Sequence, residues 1–126
     1  MRTSLSVPED LLAEFDATWR AEGMDSRSRA IREAMAEYVE RHRDLETATG
    51  TVTGAVVFDY EHERVIEALH DVQHDYQDVI ISTSHAHRRD RCLESIFSRG
   101  PADRFRALVY DLKDFDGVGR VKVMVL

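Results

Sequence analysis

Polar and apolar residues alternate from the start of the chain: Thr3, Leu5 and Val7 fall on one face and Arg2, Ser4 and Ser6 on the other. A period of two is the signature of a half-buried strand, and it predicts one over Arg2 to Val7. Pro8 ends the alternation and suits the first turn of a helix. Glu9 and Asp10 suit the helix's positive end, and Leu11, Leu12, Phe15 and Trp19 recur at helical spacing. Gly23 is a natural C-terminal stop. Asp25 or Ser26 can cap a second helix, whose apolar stripe runs through Ala30, Ile31, Ala34, Met35, Tyr38 and Val39. One strand and two short helices in about 40 residues bury too little surface to stand alone. Pairing of two such strands in a dimer supplies what is missing.

The pattern then changes. Thr47, Thr49, Gly50, Thr51, Thr53 and Gly54 make a polar stretch that reads as a linker over 44–54, dividing a domain at 1–43 from one at 55–126. Beyond it the periods alternate. A strand is predicted over Ala55 to Asp59, and a helix over Glu61 to His74 with Val65, Ile66, Leu69 and Val72 inward. A second strand follows over Val79 to His87, a polar turn over Arg88 to Arg91, and a third strand over Cys92 to Phe97. Gly100 and Pro101 open a helix carrying Phe105, Leu108, Val109 and Leu112, and Val121 to Leu126 form the last strand. The order βαββαβ is that of a ferredoxin-like α+β fold, with two helices on one face of an antiparallel sheet. Its other face must meet water or another subunit.

Composition fits folded protein: 43% of the 126 residues are hydrophobic and 33% charged. No apolar run approaches the roughly 20 residues that span a bilayer, and no basic-then-apolar leader opens the chain, so the expected location is the cytoplasm. A single cysteine, Cys92, excludes an intramolecular disulfide. The net charge of −7 argues on its face against nucleic acid. It divides as −2 over residues 1–43, where seven arginines meet nine acids, and −5 over residues 44–126, where ten basic residues meet fifteen acids. Any DNA contact must therefore use a few placed groups. Arg2, Ser4 and Ser6 on a paired antiparallel ribbon suit the major groove of double-stranded DNA, and Arg27 and Ser28 at the start of the second helix suit a phosphate.

The sharpest chemistry lies at His85, His87 and Cys92. Residues two apart on a strand share a face, so both imidazoles reach one point, and a short turn returns Cys92 beside them. Imidazole with thiolate suits nickel, copper or zinc rather than hard cations. His74, near the end of the preceding helix, is a candidate fourth ligand. A Cys/His nucleophile lacks a Gly-rich oxyanion loop and a third orienting group, so no enzyme is expected.

In order and spacing, several segments resemble the nickel-responsive ribbon-helix-helix repressors of the NikR family. They are the opening R-x-S-x-S, the passage from Gly23 to Arg32, Tyr60-Glu61-His62-Glu63, Gln73-His74, His85-Ala86-His87 and Cys92-Leu93-Glu94. The resemblance implies an N-terminal ribbon-helix-helix DNA-binding dimer and a C-terminal ferredoxin-like, ACT-like regulatory domain. It implies a homotetramer built as a dimer of dimers, with one nickel ion per subunit in a planar site shared between subunits. His85, His87 and Cys92 of one subunit and His74 of a neighbour would be the ligands, and Tyr60, His62 and Glu94 would support them. It further implies metal-dependent binding to operator DNA and repression of metal-uptake genes. Three positions depart from the family: Asp75-Tyr76-Gln77-Asp78 replaces a histidine-rich run, the turn from His87 to Cys92 is one residue short, and Arg29 stands where a carboxylate is common. Two other readings stay open at this level. The regulatory domain could sense a small molecule such as an amino acid, or the metal could be copper, cobalt or zinc.

Overall fold

The computed structural model describes all 126 residues, which divide into two compact units, Met1–Glu40 and Arg41–Leu126. The first unit holds helix α1 (Glu9–Ala21) and most of α2 (Arg27–Glu46). Gly23, at φ 83°, ends α1: its N–H donates to Arg20 O at 3.0 Å and that of Met24 to Trp19 O at 3.1 Å, so the paired bonds close the helix. Ser26 caps α2 through its hydroxyl, which accepts from the Arg29 N–H at 3.1 Å.

Residues 1–8 form no strand in the single chain, and Arg2, Ser4 and Ser6 are exposed. This corrects the predicted Arg2–Val7 strand at the level of one subunit. A strand needs a partner for its backbone hydrogen bonds, and nothing in the chain offers one. Within this unit only Ala30 is buried, while Leu5, Val7, Leu11, Met35, Tyr38 and Val39 are exposed.

The second unit is a four-stranded antiparallel sheet of β1 (Thr51–Glu61), β2 (Ile80–Arg88), β3 (Arg91–Pro101) and β4 (Val118–Val125), in the order β2-β3-β1-β4. Helices α3 (His62–Asp75) and α4 (Ala102–Asp114) cover one face, giving the α+β ferredoxin-like order that the periodicity predicts. Alternate residues of β1 (Val52, Val56, Phe58, Tyr60) and of β3 (Cys92, Glu94, Ile96, Ser98) are buried beneath the helices. From above, α3 inserts Val65, Leu69 and Val72, and α4 inserts Phe105, Leu108, Val109 and Leu112. On the opposite face Val57, Leu93, Phe97 and Met124 are exposed.

The expected 44–54 linker is corrected to residues 47–50, because α2 runs to Glu46 and β1 starts at Thr51. Leu45 is buried in the core, and the Arg106 guanidinium donates to the carbonyls of Leu45, Glu46 and Ala48 at 3.1, 3.3 and 2.9 Å. A cation taking the orphan carbonyls of a helix end extends the helix where composition alone reads as loop. Likewise the Thr- and Gly-rich 51–54 stretch is strand because it ladders to both β3 and β4.

The β2–β3 connection is a two-residue loop, Arg89–Asp90, with Arg89 at φ 59°. This left-handed conformation costs an L-residue free energy that glycine avoids. Arg89→Gly is therefore expected to stabilise the hairpin by about 0.5–1 kcal/mol, after glycine's own entropy is allowed for. A urea midpoint that falls rather than rises would contradict this.

Candidate metal centre

The tight loop fixes the register of the hairpin. His87 lies directly opposite Cys92, and His85 directly opposite Glu94. Directly opposed residues share a face, so both histidines stand on the helix-covered side, as Cys92 and Glu94 do. The shortened turn therefore leaves Cys92 in step with the histidines. Their burial differs sharply all the same. Cys92 is 3% exposed, whereas β2 is an edge strand and His85 and His87 are open to solvent, with ring centroids 6.3 Å apart.

Next to Cys92 across β1 is Tyr60, whose hydroxyl donates to Glu94 Oε1 at 3.0 Å. Burial first, then this hydrogen bond, pushes the Tyr60 phenol far above its usual range. A buried carboxylate with one partner of this kind is held in a fixed orientation beneath His85.

The start of α3 completes the surroundings. The His62 N–H donates to Asp90 O at 3.2 Å, which draws the helix onto the hairpin loop and places His62 Nδ1 3.4 Å from Cys92 Sγ. A 490 Å³ recess opens there, walled by Glu61, His62, Arg64, His87, Asp90 and Cys92 among others. A second recess of 220 Å³ is lined by Tyr60, His62, His70, Gln73, His85 and Glu94 among others. His62 belongs to both. His70 lies in the smaller recess and is not among the residues that metal-ligand spacing singles out. Its signal was the helical row His62, Ile66, His70, which puts it on the α3 face toward the sheet edge.

His74 is exposed on the last turn of α3 and lines neither recess. Within the chain, no three His, Cys, Asp or Glu side chains converge closely enough to hold an ion. The donor types nevertheless fit a borderline-soft divalent metal, since two exposed imidazoles share a face with a buried thiol.

In the first unit the candidate DNA residues separate. Arg2, Ser4, Ser6 and Ser28 are exposed. Arg27 instead grips Asp16, donating from Nε to Oδ1 at 2.9 Å and from Nη2 to Oδ2 at 2.6 Å. Asp16 Oδ1 also accepts from Trp19 Nε1 at 2.8 Å, and the Arg27 bonds ahead of this one lower the Asp16 carboxyl to about 2. Arg27 thus braces α1 against the start of α2. Arg29 pairs along its own helix, at 3.7 Å from Asp25 and 3.3 Å from Glu33.

Comparison with known proteins agrees with this architecture. Residues 49–126 match the family model described as the NikR C-terminal nickel-binding domain, and residues 1–42 match that of the ribbon-helix-helix proteins of the CopG family. A protein of Methanocaldococcus jannaschii named as a nickel-responsive regulator is 39% identical over 128 residues, covering 99% of this chain and 91% of its own. A similarly named protein of Methanothermobacter thermautotrophicus is 37% identical, covering 98% of this chain and 90% of its own. The structure of an uncharacterized protein from Thermotoga maritima superimposes with a TM-score of 0.56 at 18% identity, over 61% of this chain and 99% of that one, and shows the fold alone. No helix is long and apolar enough to cross a membrane. A ribbon-helix-helix segment followed by a nickel-binding ferredoxin-like domain, matched over nearly the full length of both chains, places this protein in the NikR family of nickel-responsive transcriptional regulators, which are not enzymes.

Proposed function

We propose that the protein is a cytoplasmic homotetramer that binds operator DNA when nickel is bound and represses genes of metal uptake. His85, His87 and Cys92 would hold the ion on one subunit and His74 of another copy would complete the set, one ion per subunit. The observation that carries this reading is the hairpin register, which sets His87 opposite Cys92 with His85 two residues along the same face. Rotation of the two exposed imidazoles about χ1 would close the donors around an ion. Nickel, when bound, would tie the His85–His87–Cys92 face of one subunit to His74 of the other. Tyr60 and Glu94 support the face from within, and His62 orients the thiol.

Two apolar surfaces support assembly. Leu5, Val7, Leu11, Met35 and Val39 of the first unit are left exposed, as a half of a strand-paired dimer would leave them. Val57, Leu93, Phe97 and Met124 offer the uncovered sheet face for contact between regulatory domains. Paired N-terminal segments would present Arg2, Ser4 and Ser6 to the major groove, and Ser28 with the first N–H groups of α2 would meet a phosphate. Arg27 contributes by bracing the helices rather than by offering a free charge. Metal then changes DNA affinity because one arrangement of the tetramer joins His74 to the other donors and the other does not.

The test is selection from random-sequence duplex DNA with and without nickel. A palindromic sequence enriched only with nickel is the expected result, bound by a tetramer in sedimentation. Enrichment that ignores nickel, copper, cobalt and zinc alike would overturn the reading. With few cations on the DNA-binding unit, binding is expected to weaken with salt less steeply than the roughly 10³–10⁵-fold loss between 50 and 200 mM of a strongly basic repressor.

A further inference from the structure

The end of a helix is its weakest part, because its last four carbonyls lack helical partners and the turn frays. In α3 that turn carries His74, and a second set of contacts surrounds it. Arg104, on α4, donates from Nη2 to the Asp75 carbonyl at 2.9 Å and to Asp78 Oδ1 at 2.6 Å. Its guanidinium carbon stands 4.4 Å from the centroid of the Tyr76 ring. That ring is 7% exposed, and its hydroxyl donates to Asp111 Oδ2 at 2.6 Å, also on α4. The Tyr76 carbonyl in turn accepts from the N–H groups of Val79 and Ile80 at 2.9 and 3.0 Å, which leads the chain into β2. Arg104 and Asp111 are two helical turns apart, so one rigid helix grips the segment at both ends.

We propose that Arg104 is a positioning residue for the metal centre: with Tyr76 and Asp111 it clamps the last turn of α3 to α4, holding His74 ordered before metal arrives. The proposal rests on the reading of His74 as a ligand. A ligand lent to another subunit is useful only in the fraction of molecules whose helix end is formed, and apparent metal affinity falls by that fraction. The clamp moves this ordering into the folding of the subunit. It also joins the His74 turn to the start of β2, the strand that bears His85 and His87.

Hydrogen exchange on the metal-free full-length protein and nickel titration together test it. Arg104→Ala is expected to lower protection of the amides at 72–77 and to weaken nickel binding, each about tenfold, the scale of losing a hydrogen bond from a charged donor. The absorption of the saturated nickel complex should stay that of wild type, since every donor remains. Arg104→Lys keeps the cation and should recover part of both losses. Tyr76→Phe retains the buried ring and removes only the tie to Asp111, so it should fold and show the same changes at smaller size. His74→Ala should do the reverse, changing the saturated spectrum while leaving exchange at 72–73 and 75–77 intact. If His74→Ala behaves so and Arg104→Ala leaves exchange and nickel affinity unaltered, the clamp is wrong. If His74→Ala changes neither spectrum nor affinity, the ligand reading fails and the positioning role with it.

Discussion

Replacing Cys92 with alanine is expected to abolish tight nickel binding and nickel-dependent operator recognition while leaving the metal-free fold in place. The side chain is buried between Tyr60 on β1 and His87 on β2, so its removal costs the core one small group, about 1 kcal/mol by the scale of a buried methylene. The loss of the donor is far larger. Disturbing only the outer partners of a metal ligand costs about 10–100-fold in affinity, so deleting the thiolate itself should cost more than about a hundredfold. His62→Ala gives the internal contrast. It removes an imidazole 3.4 Å from the sulfur but no proposed donor, and should stay within about 10–100-fold. Competition against a coloured chelator measures both, and the thiolate-to-nickel absorption band should vanish only in Cys92→Ala. Wild-type nickel affinity in Cys92→Ala would remove the site from this hairpin.

Much of that hairpin was legible in the sequence, and the reason is local. Two alternating histidines and a returning cysteine need only a strand period and a short turn, both of which are short-range physics. The same holds for the core of α3 and α4, where Val65, Leu69, Val72, Phe105, Leu108 and Leu112 recur at helical spacing and all prove buried. What escaped was set at long range. Arg106 reaches back some sixty residues to cap α2, and no pattern within α2 announces it. Arg27 reads as a phosphate contact from its place at the start of α2, and nothing within that helix announces that Asp16, on the preceding helix, pairs with it. His70 is unremarkable alone and joins the recess only because α3 lies along the sheet edge. The N-terminal alternation is a different case. It describes a strand whose partner would be another copy, so one chain leaves it unpaired.

Gly54 shows how a linker-like residue becomes a packing constraint, and substitution there should have the largest effect on stability. It sits in β1, between Ser98 of β3 and Val125 of β4, in the middle of the sheet. A Cβ at this position would stand 2.6, 2.9 and 3.0 Å from three carbons of the Phe105 ring, which is 1% exposed. Contacts that short force the ring or the strand to move, and a ring enclosed by the core has little room to do so. Gly54→Ala is therefore expected to destabilise the domain by about 1–3 kcal/mol, even though alanine lowers the entropy of the unfolded chain. A valine should cost more, because its branches point into the same ring. The cause can be isolated with Phe105→Leu, which shortens the side chain that blocks the new methyl group. Alone it should be destabilising, since it leaves space in a packed core. Combined with Gly54→Ala it should cost less than the two changes added together, with a coupling of about 0.5–3 kcal/mol measured by urea unfolding of the metal-free protein. Additivity within about 0.5 kcal/mol would mean that the ring is not what excludes a side chain at residue 54.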